Sequence, residues 1–215
     1  MNAPQKNLHD AGWAATAGTA LRAASAALRN TSAQARTDAL HTMADALTEA
    51  APEVLAANAG DVEAAKAAGL SGALVDRLVL DEARLAGIVD GIRAVARHPD
   101  PLGREITRWT RPNGLVIAQV RVPIGAIGVI FESRPNVAAD AAALCIRSGN
   151  AVVLRGGSDA ARSVAAIVRA LKTGLERAGL PGDLITLPPD TSRAYVGDML
   201  AGMGGALDLV VPRGG

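Results

Sequence analysis

Residues 125–131 read GAIGVIF, and the same kind of short, unalternated apolar run returns at 151–154 (AVVL), 184–187 (LITL) and 207–211 (LDLVV). Helix-like stretches at 136–147, 159–178 and 192–203 separate them; the second ends in Gly179-Leu180-Pro181, a C-cap glycine followed by a stop proline. A strand that is apolar on both faces must be covered on both, and strands alternating with helices join through right-handed crossovers. These runs predict an α/β fold, a parallel, doubly wound sheet of Rossmann-like type.

Upstream of 123 the period changes. In 115–122, Val116, Ala118, Val120 and Val122 fall on one side while Gln119 and Arg121 fall on the other. Asn113-Gly114, between this run and 106–111, is a hairpin-turn signal, because both residues tolerate positive φ. A two-stranded ribbon results, with Trp109 packed on it. Its open edges need covering, and another subunit is the natural cover.

Residues 7–98 read as helical. Thr31-Ser32-Ala33-Gln34 is a capping-box pattern with Thr31 as the cap, and Leu40, Met43 and Leu47 follow it as one apolar stripe. Asp81 can cap a further helix whose Leu85, Ile88, Val89 and Ile92 repeat the spacing. His98-Pro99-Asp100-Pro101 then stops the helix. The chain divides into a helical part at 1–105, a ribbon at 106–122 and a nucleotide-binding part at 123–215.

Of 215 residues, 49% are hydrophobic and the net charge is +1, which excludes a disordered chain and argues against nucleic-acid binding. Trp13, Trp109, Phe131 and Tyr195 are too scattered to stack bases. The lone Cys145 rules out an internal disulfide and fits a reducing compartment. With neither a signal-peptide pattern nor an apolar run long enough to span a membrane, the cytoplasm is expected. His9, His41 and His98 lie far apart without second ligands, so no metal site is expected.

In such sheets ligands bind where strands hand over to helices. Three junctions carry suitable residues: Glu132-Ser133-Arg134-Pro135-Asn136, Arg155-Gly156-Gly157-Ser158-Asp159 and Pro212-Arg213-Gly214-Gly215. Glycines let backbone N–H groups approach an anion, a helix N-terminus adds partial positive charge, and an arginine fork suits a phosphate. One such turn is explained by turn geometry alone; two Arg-Gly-Gly turns on one sheet favour ligand binding. No GxGxxG follows the first strand, so the usual dinucleotide fingerprint is absent.

The stretches VPIGAIGVIFESRPNVAADAAALCIRSGNAVVLRGGSDAARS and LDLVVPRGG resemble the gamma-glutamyl phosphate reductase family, within the aldehyde dehydrogenase superfamily. The resemblance implies an aldehyde-dehydrogenase-like fold and NADPH-dependent reduction of L-glutamyl 5-phosphate to L-glutamate 5-semialdehyde, with release of phosphate, in proline biosynthesis. A cysteine thiolate forms a thioester, which splits one hard substitution into two easier steps, and preorganised donors stabilise the oxyanion.

By resemblance, Ile130, Phe131 and Glu132 line the nicotinamide side through their backbone. Arg155 stands where the superfamily has a lysine on the adenosine ribose, and Gly156, Gly157 and Ser158 shape that turn. Pro212, Arg213, Gly214 and Gly215 begin the turn beneath the cofactor phosphates. Asn136 is the candidate side-chain oxyanion donor, although an ungapped comparison anchored on GNAVVLR puts Glu132 nearer that place. Ser133 and Arg134 would hold the substrate's phosphate or carboxylate.

The resemblance places the nucleophilic cysteine beyond PRGG, in a catalytic domain that this sequence lacks. Cys145, inside AADAAALCIRSG, reads as a buried packing residue. A strand and glycine turn at 207–215 should open into a helix, so the chain reads as the N-terminal, cofactor-binding half of a longer enzyme. A homo-oligomer and contact with the preceding kinase of the pathway are also implied. The alternatives are a non-catalytic dinucleotide-binding module and an oligomerisation subunit that binds no dinucleotide.

Overall fold

A computed structural model describes residues 12–213. The expected helical region is broken into α1 (Trp13–Arg29), α2 (Ala33–Glu49), α3 (Ala51–Ala67), the short α4 (Gly72–Leu78) and α5 (Glu82–Arg97). A ribbon of β1 (Glu105–Thr110) and β2 (Val116–Val120) follows. Then come β3 (Ala126–Phe131), α6 (Asn136–Arg147), β4 (Ala151–Arg155), α7 (Ala161–Arg177), β5 (Ile185–Thr186), α8 (Arg193–Leu200) and β6 (Leu209–Arg213). Residues 7–11, Gly214 and Gly215 lie outside the described residues.

The sheet is parallel throughout, in the order β5-β4-β3-β6. Two crossovers step outward from β3 to β4 to β5, and the third returns to lay β6 on the far side of β3. Right-handed connections therefore put α6 and α7 on one face and α8 on the other, where α1 joins it against the strands. The strand order reverses between β3 and β6. That crevice, outside the carboxyl ends of the strands, is where doubly wound sheets bind ligands.

Both faces of β3 and β4 are covered, as their unalternated sequence requires: Ala126, Ile127, Val129, Phe131, Val152, Val153 and Leu154 are all buried. The α2 stripe of Leu40, Met43 and Leu47 is fully buried in the same continuous core. Where α2 crosses α7, Gly174 packs so closely that a Cβ there would lie 2.4 Å from Met43 Cα. At the opposite end of the sheet, Asp208 Oδ2 accepts from Ala126 N at 2.9 Å and from Arg22 Nη1 at 2.7 Å, which ties the start of β6 to β3 and α1.

Local signals are read correctly in part. Asp81 caps α5 by accepting from Arg84 N at 2.7 Å, and α5 stops before His98. Gly179 takes a φ of +75° after α7. The cap of α2, however, is Ser32, whose Oγ accepts from Ala35 N at 3.1 Å. Thr31 instead closes the end of α1, its hydroxyl donating to Leu28 O at 2.7 Å, so the capping box does not form.

In the ribbon only Gly114 of the turn has positive φ (+85°); Asn113 contributes through its side chain, accepting from Leu115 N at 3.2 Å. Val116, Ala118 and Val120 share one face, and Trp109 stands opposite Ile117 on the other, 42% exposed. Neither face of the ribbon is covered within the described residues. A further difference lies at β6. Pro212 and Arg213 pair with Ile130 and Phe131 as part of the strand, not as the start of a turn. Proline is tolerated there because, among the described residues, β6 is an edge strand with one neighbour to bond.

Candidate functional site

The carboxyl ends of β3, β4 and β6 come together around a cleft of about 500 Å³. Its walls carry Ile130, Phe131, Glu132 and Ser133 from the first junction, Arg155, Gly157 and Ser158 from the second, and Pro212 and Arg213 from the third. The glycines let the first two junctions touch. A Cβ on Gly156 would stand 3.1 Å from the Phe131 ring, and one on Gly157 would stand 3.3 Å from Ser133 N. Ser133 Oγ then donates to Asp159 Oδ2 at 2.9 Å, locking the two loops together. Gly156 faces an adjoining slot between α7 and the loop after β5, walled by Leu154, Val164, Leu187 and Pro188.

Arg155 reaches across the mouth of that slot. Its Nη2 donates to Thr191 O at 2.5 Å, while its buried Nε has no hydrogen-bond partner among the described residues. Burial, and then the neighbouring positive charge of Arg193, press its pKa below the ordinary arginine value. Two guanidiniums thus face one cleft with repulsion that an anion would relieve.

Asn136 goes elsewhere. Its Nδ2 donates to Asp140 Oδ2 at 3.0 Å, one turn along α6, and it lines a second cleft against α4 and α5 together with Arg134. Burial pushes the Asp140 carboxyl above the usual carboxylate range, offset in part by the Asn136 hydrogen bond and the charge of Arg213. Glu132, not Asn136, lines the cleft at the strand ends.

Cys145 is buried in α6, and burial pushes its thiol up to about 12, so it is a poor nucleophile at neutral pH. Among the described residues no group of His, Cys, Asp and Glu could hold a metal ion, and no helix is long and apolar enough to cross a membrane.

The sequence reading missed several functional neighbours. Asp61 on α3 is buried and accepts from Ser163 N at 2.8 Å and from Ser163 Oγ at 2.7 Å, capping α7 from across the fold. The partial positive charge expected at the α7 N-terminus therefore already faces a carboxylate. The anion-attracting groups of that junction are its arginines instead. Asn58 accepts from Leu80 N at 2.7 Å and donates to Leu78 O at 2.9 Å, pinning the end of α4. That helix supplies Leu74 and Arg77 to the cleft walls. The only sequence signal was a pair of polar residues three apart in an alanine-rich helix.

The model of the aldehyde dehydrogenase family matches residues 6–203. The chain belongs to the aldehyde dehydrogenase family. It is 57% identical over 169 residues to a gamma-glutamyl phosphate reductase of Brucella anthropi, a match covering 79% of this chain and 40% of that relative. Its fold matches the crystal structure of a Thermotoga maritima gamma-glutamyl phosphate reductase with a TM-score of 0.90 at 40% identity, over 94% of this chain and 49% of the other. A Saccharomyces cerevisiae enzyme of the same name gives 0.85 at 33%, over 94% and 51%. The chain thus spans well under two thirds of the length of these relatives. Membership of the family implies a nicotinamide dinucleotide cofactor.

Proposed function

We propose that this chain forms the cofactor-binding part of an NADPH-dependent reductase that converts L-glutamyl 5-phosphate to L-glutamate 5-semialdehyde and releases phosphate, in proline biosynthesis in the cytoplasm. One observation carries the reading. The glycine turn after β4 packs directly against the end of β3, and beside it Arg155 and Arg193 face the same cleft without an ion pair among the described residues. These residues fit a phosphorylated dinucleotide. The slot between α7 and the loop after β5 suits a flat adenine ring, and the arginines suit the ribose phosphate.

A nicotinamide dinucleotide bound there supplies a hydride. The chain's own part is to bind and orient: Ile130, Phe131 and Glu132 flank the nicotinamide end through their backbone, Ser158 and Arg213 serve the phosphates, and Arg134 holds the charged substrate, with Ser133 fixing the loop through its bond to Asp159. Asn136, the side-chain oxyanion donor that the resemblance implies, faces the neighbouring cleft instead and donates to Asp140. The thiol that forms the thioester is not Cys145; in this reading it belongs to residues outside these 215. The domain division at 105 and 122 goes with it: helices and sheet bind the cofactor, and the ribbon joins subunits of a homo-oligomer, with the pathway's preceding kinase as a further partner.

The test is an assay of a chain with the full length of its relatives, with gamma-glutamyl phosphate generated in situ by a glutamate kinase. NADPH oxidation that depends on kinase, ATP and glutamate is the expected result. A well-folded full-length chain that oxidises no NADPH would overturn the proposal.

A further inference from the structure

A second cleft opens beside the first, between α4, α5 and the first turns of α6, with a volume of about 380 Å³. Its charged residues divide into two kinds. Arg84 is committed to the protein itself: Nη2 donates to Asp76 Oδ1 at 2.8 Å, and Nη1 donates to Asp76 O at 2.6 Å. Arg77 and Arg134 have no side-chain hydrogen bond or ion pair among the described residues. The same cleft holds Asp140, half-buried, with Oδ2 taken by Asn136 and Oδ1 without a hydrogen-bond donor among the described residues. Two idle guanidiniums and one half-idle carboxylate lining one cleft form a site of mixed sign, suited to a ligand that carries both charged groups on one carbon.

Arg77 and Arg134 also line the cleft of Phe131, Glu132 and Arg213 at the end of β3. A molecule anchored in the second cleft therefore reaches the strand ends. Resting on the reductase reading above, we infer that this second cleft holds the amino-acid head of the substrate, its α-carboxylate on Arg77 and Arg134 and its α-ammonium on Asp140. The γ-acyl group then projects past Arg134 toward Glu132. Asn136 orients the Asp140 carboxylate, and α4 becomes a specificity element.

The test compares two aldehydes of five carbons in the reverse direction, with inorganic phosphate and NADP⁺, in the full-length enzyme. L-glutamate 5-semialdehyde carries both head charges; 5-oxopentanoate carries the carboxylate alone. The parent should prefer the amino-bearing aldehyde in kcat/KM by about ten- to hundredfold, the worth of one charge-assisted hydrogen bond. Asp140→Asn should bring that ratio near one, while Asp140→Glu keeps most of it. Arg77→Met should weaken both aldehydes alike and leave the ratio standing. An unchanged KM for NADP⁺ reports that each variant is folded. A parent without the preference, or an Asp140→Asn enzyme that retains it, overturns the head-group site while the reductase reading stands. No turnover of either aldehyde by the parent removes the reductase reading and the head-group site together.

Discussion

After β4 the chain enters a helix whose N-terminus is already occupied by the Asp61 carboxylate; after β3 it enters one with no acidic residue in its first turn and, just before it, an arginine without a partner among the described residues. Both junctions have the strand-turn-helix geometry that places ligands at the end of a doubly wound sheet. Yet the first is a structural joint with an apolar slot beside it, and the second is an open, charged corner. A glycine-rich turn by itself therefore does not make a helix-terminus phosphate site. At the β4 end, anion attraction has moved from the helix to the side chains of Arg155 and Arg193.

The sharpest way to break this contrast is to uncap α7. Asp61→Ala would leave the Ser163 N–H and hydroxyl buried without an acceptor, and stability should fall by about 3 kcal/mol in urea unfolding. A loss below about 1 kcal/mol would mean that the α7 N-terminus reaches water or another acceptor, and the two junctions would then be alike.

The ribbon offers a second contrast, with the sheet. Ala126 and Ala151 on β3 and β4 are fully buried, whereas Val120 on β2 is 46% exposed. Val120→Lys should dissociate the full-length assembly, since a charge on an interface strand opposes pairing. Light scattering decides it: a parent already monomeric at micromolar concentration contradicts the proposed interface.

A smaller effect tests α6, the helix of the charged junction. Cys145→Ala should cost about 1 kcal/mol as a modest core truncation and leave turnover of the full-length enzyme intact. Its pH dependence has a definite sign. The folded thiol is raised from 9.0 to about 12, so above pH 9 the unfolded chain loses a proton that the folded chain keeps. Cys145 thus contributes stability that is whole below pH 9 and declines as pH rises toward 12, at up to about 1.4 kcal/mol per unit. The alanine variant should lack that part of the decline, and identical slopes for parent and variant would show the thiol to be accessible.

What could be read in advance follows the range of the forces. β3 and β4 announced themselves because burial on both faces requires unbroken apolar runs, whereas the run of β6 lies largely exposed; Asp81 and Gly179 did so because caps act within one turn. Asp61 and Asn58 did not, since their partner Ser163 lies 102 and 105 residues away and each looks like a wet residue on α3. Arg77 was missed for the same reason: only the fold of α4 over the strand ends brings it to the clefts. Pro212 was expected to begin a turn, but it continues β6 opposite Ile130. Thr31 and Ser32 both suit a cap, and only the exit path of α1 chose between them.

In the proposed function, side chains at the end of β4 read the phosphate of NADPH. The most direct measurement is the KM for NADPH and for NADH in the full-length enzyme, for the parent and for Arg155→Ala. Loss of a charge-assisted fork should cost about 1.5–3 kcal/mol, raising the KM for NADPH about ten- to hundredfold, with kcat and the KM for NADH changed far less. An equal rise for both cofactors would contradict the account, leaving Arg155 as a strut for the Thr191 carbonyl.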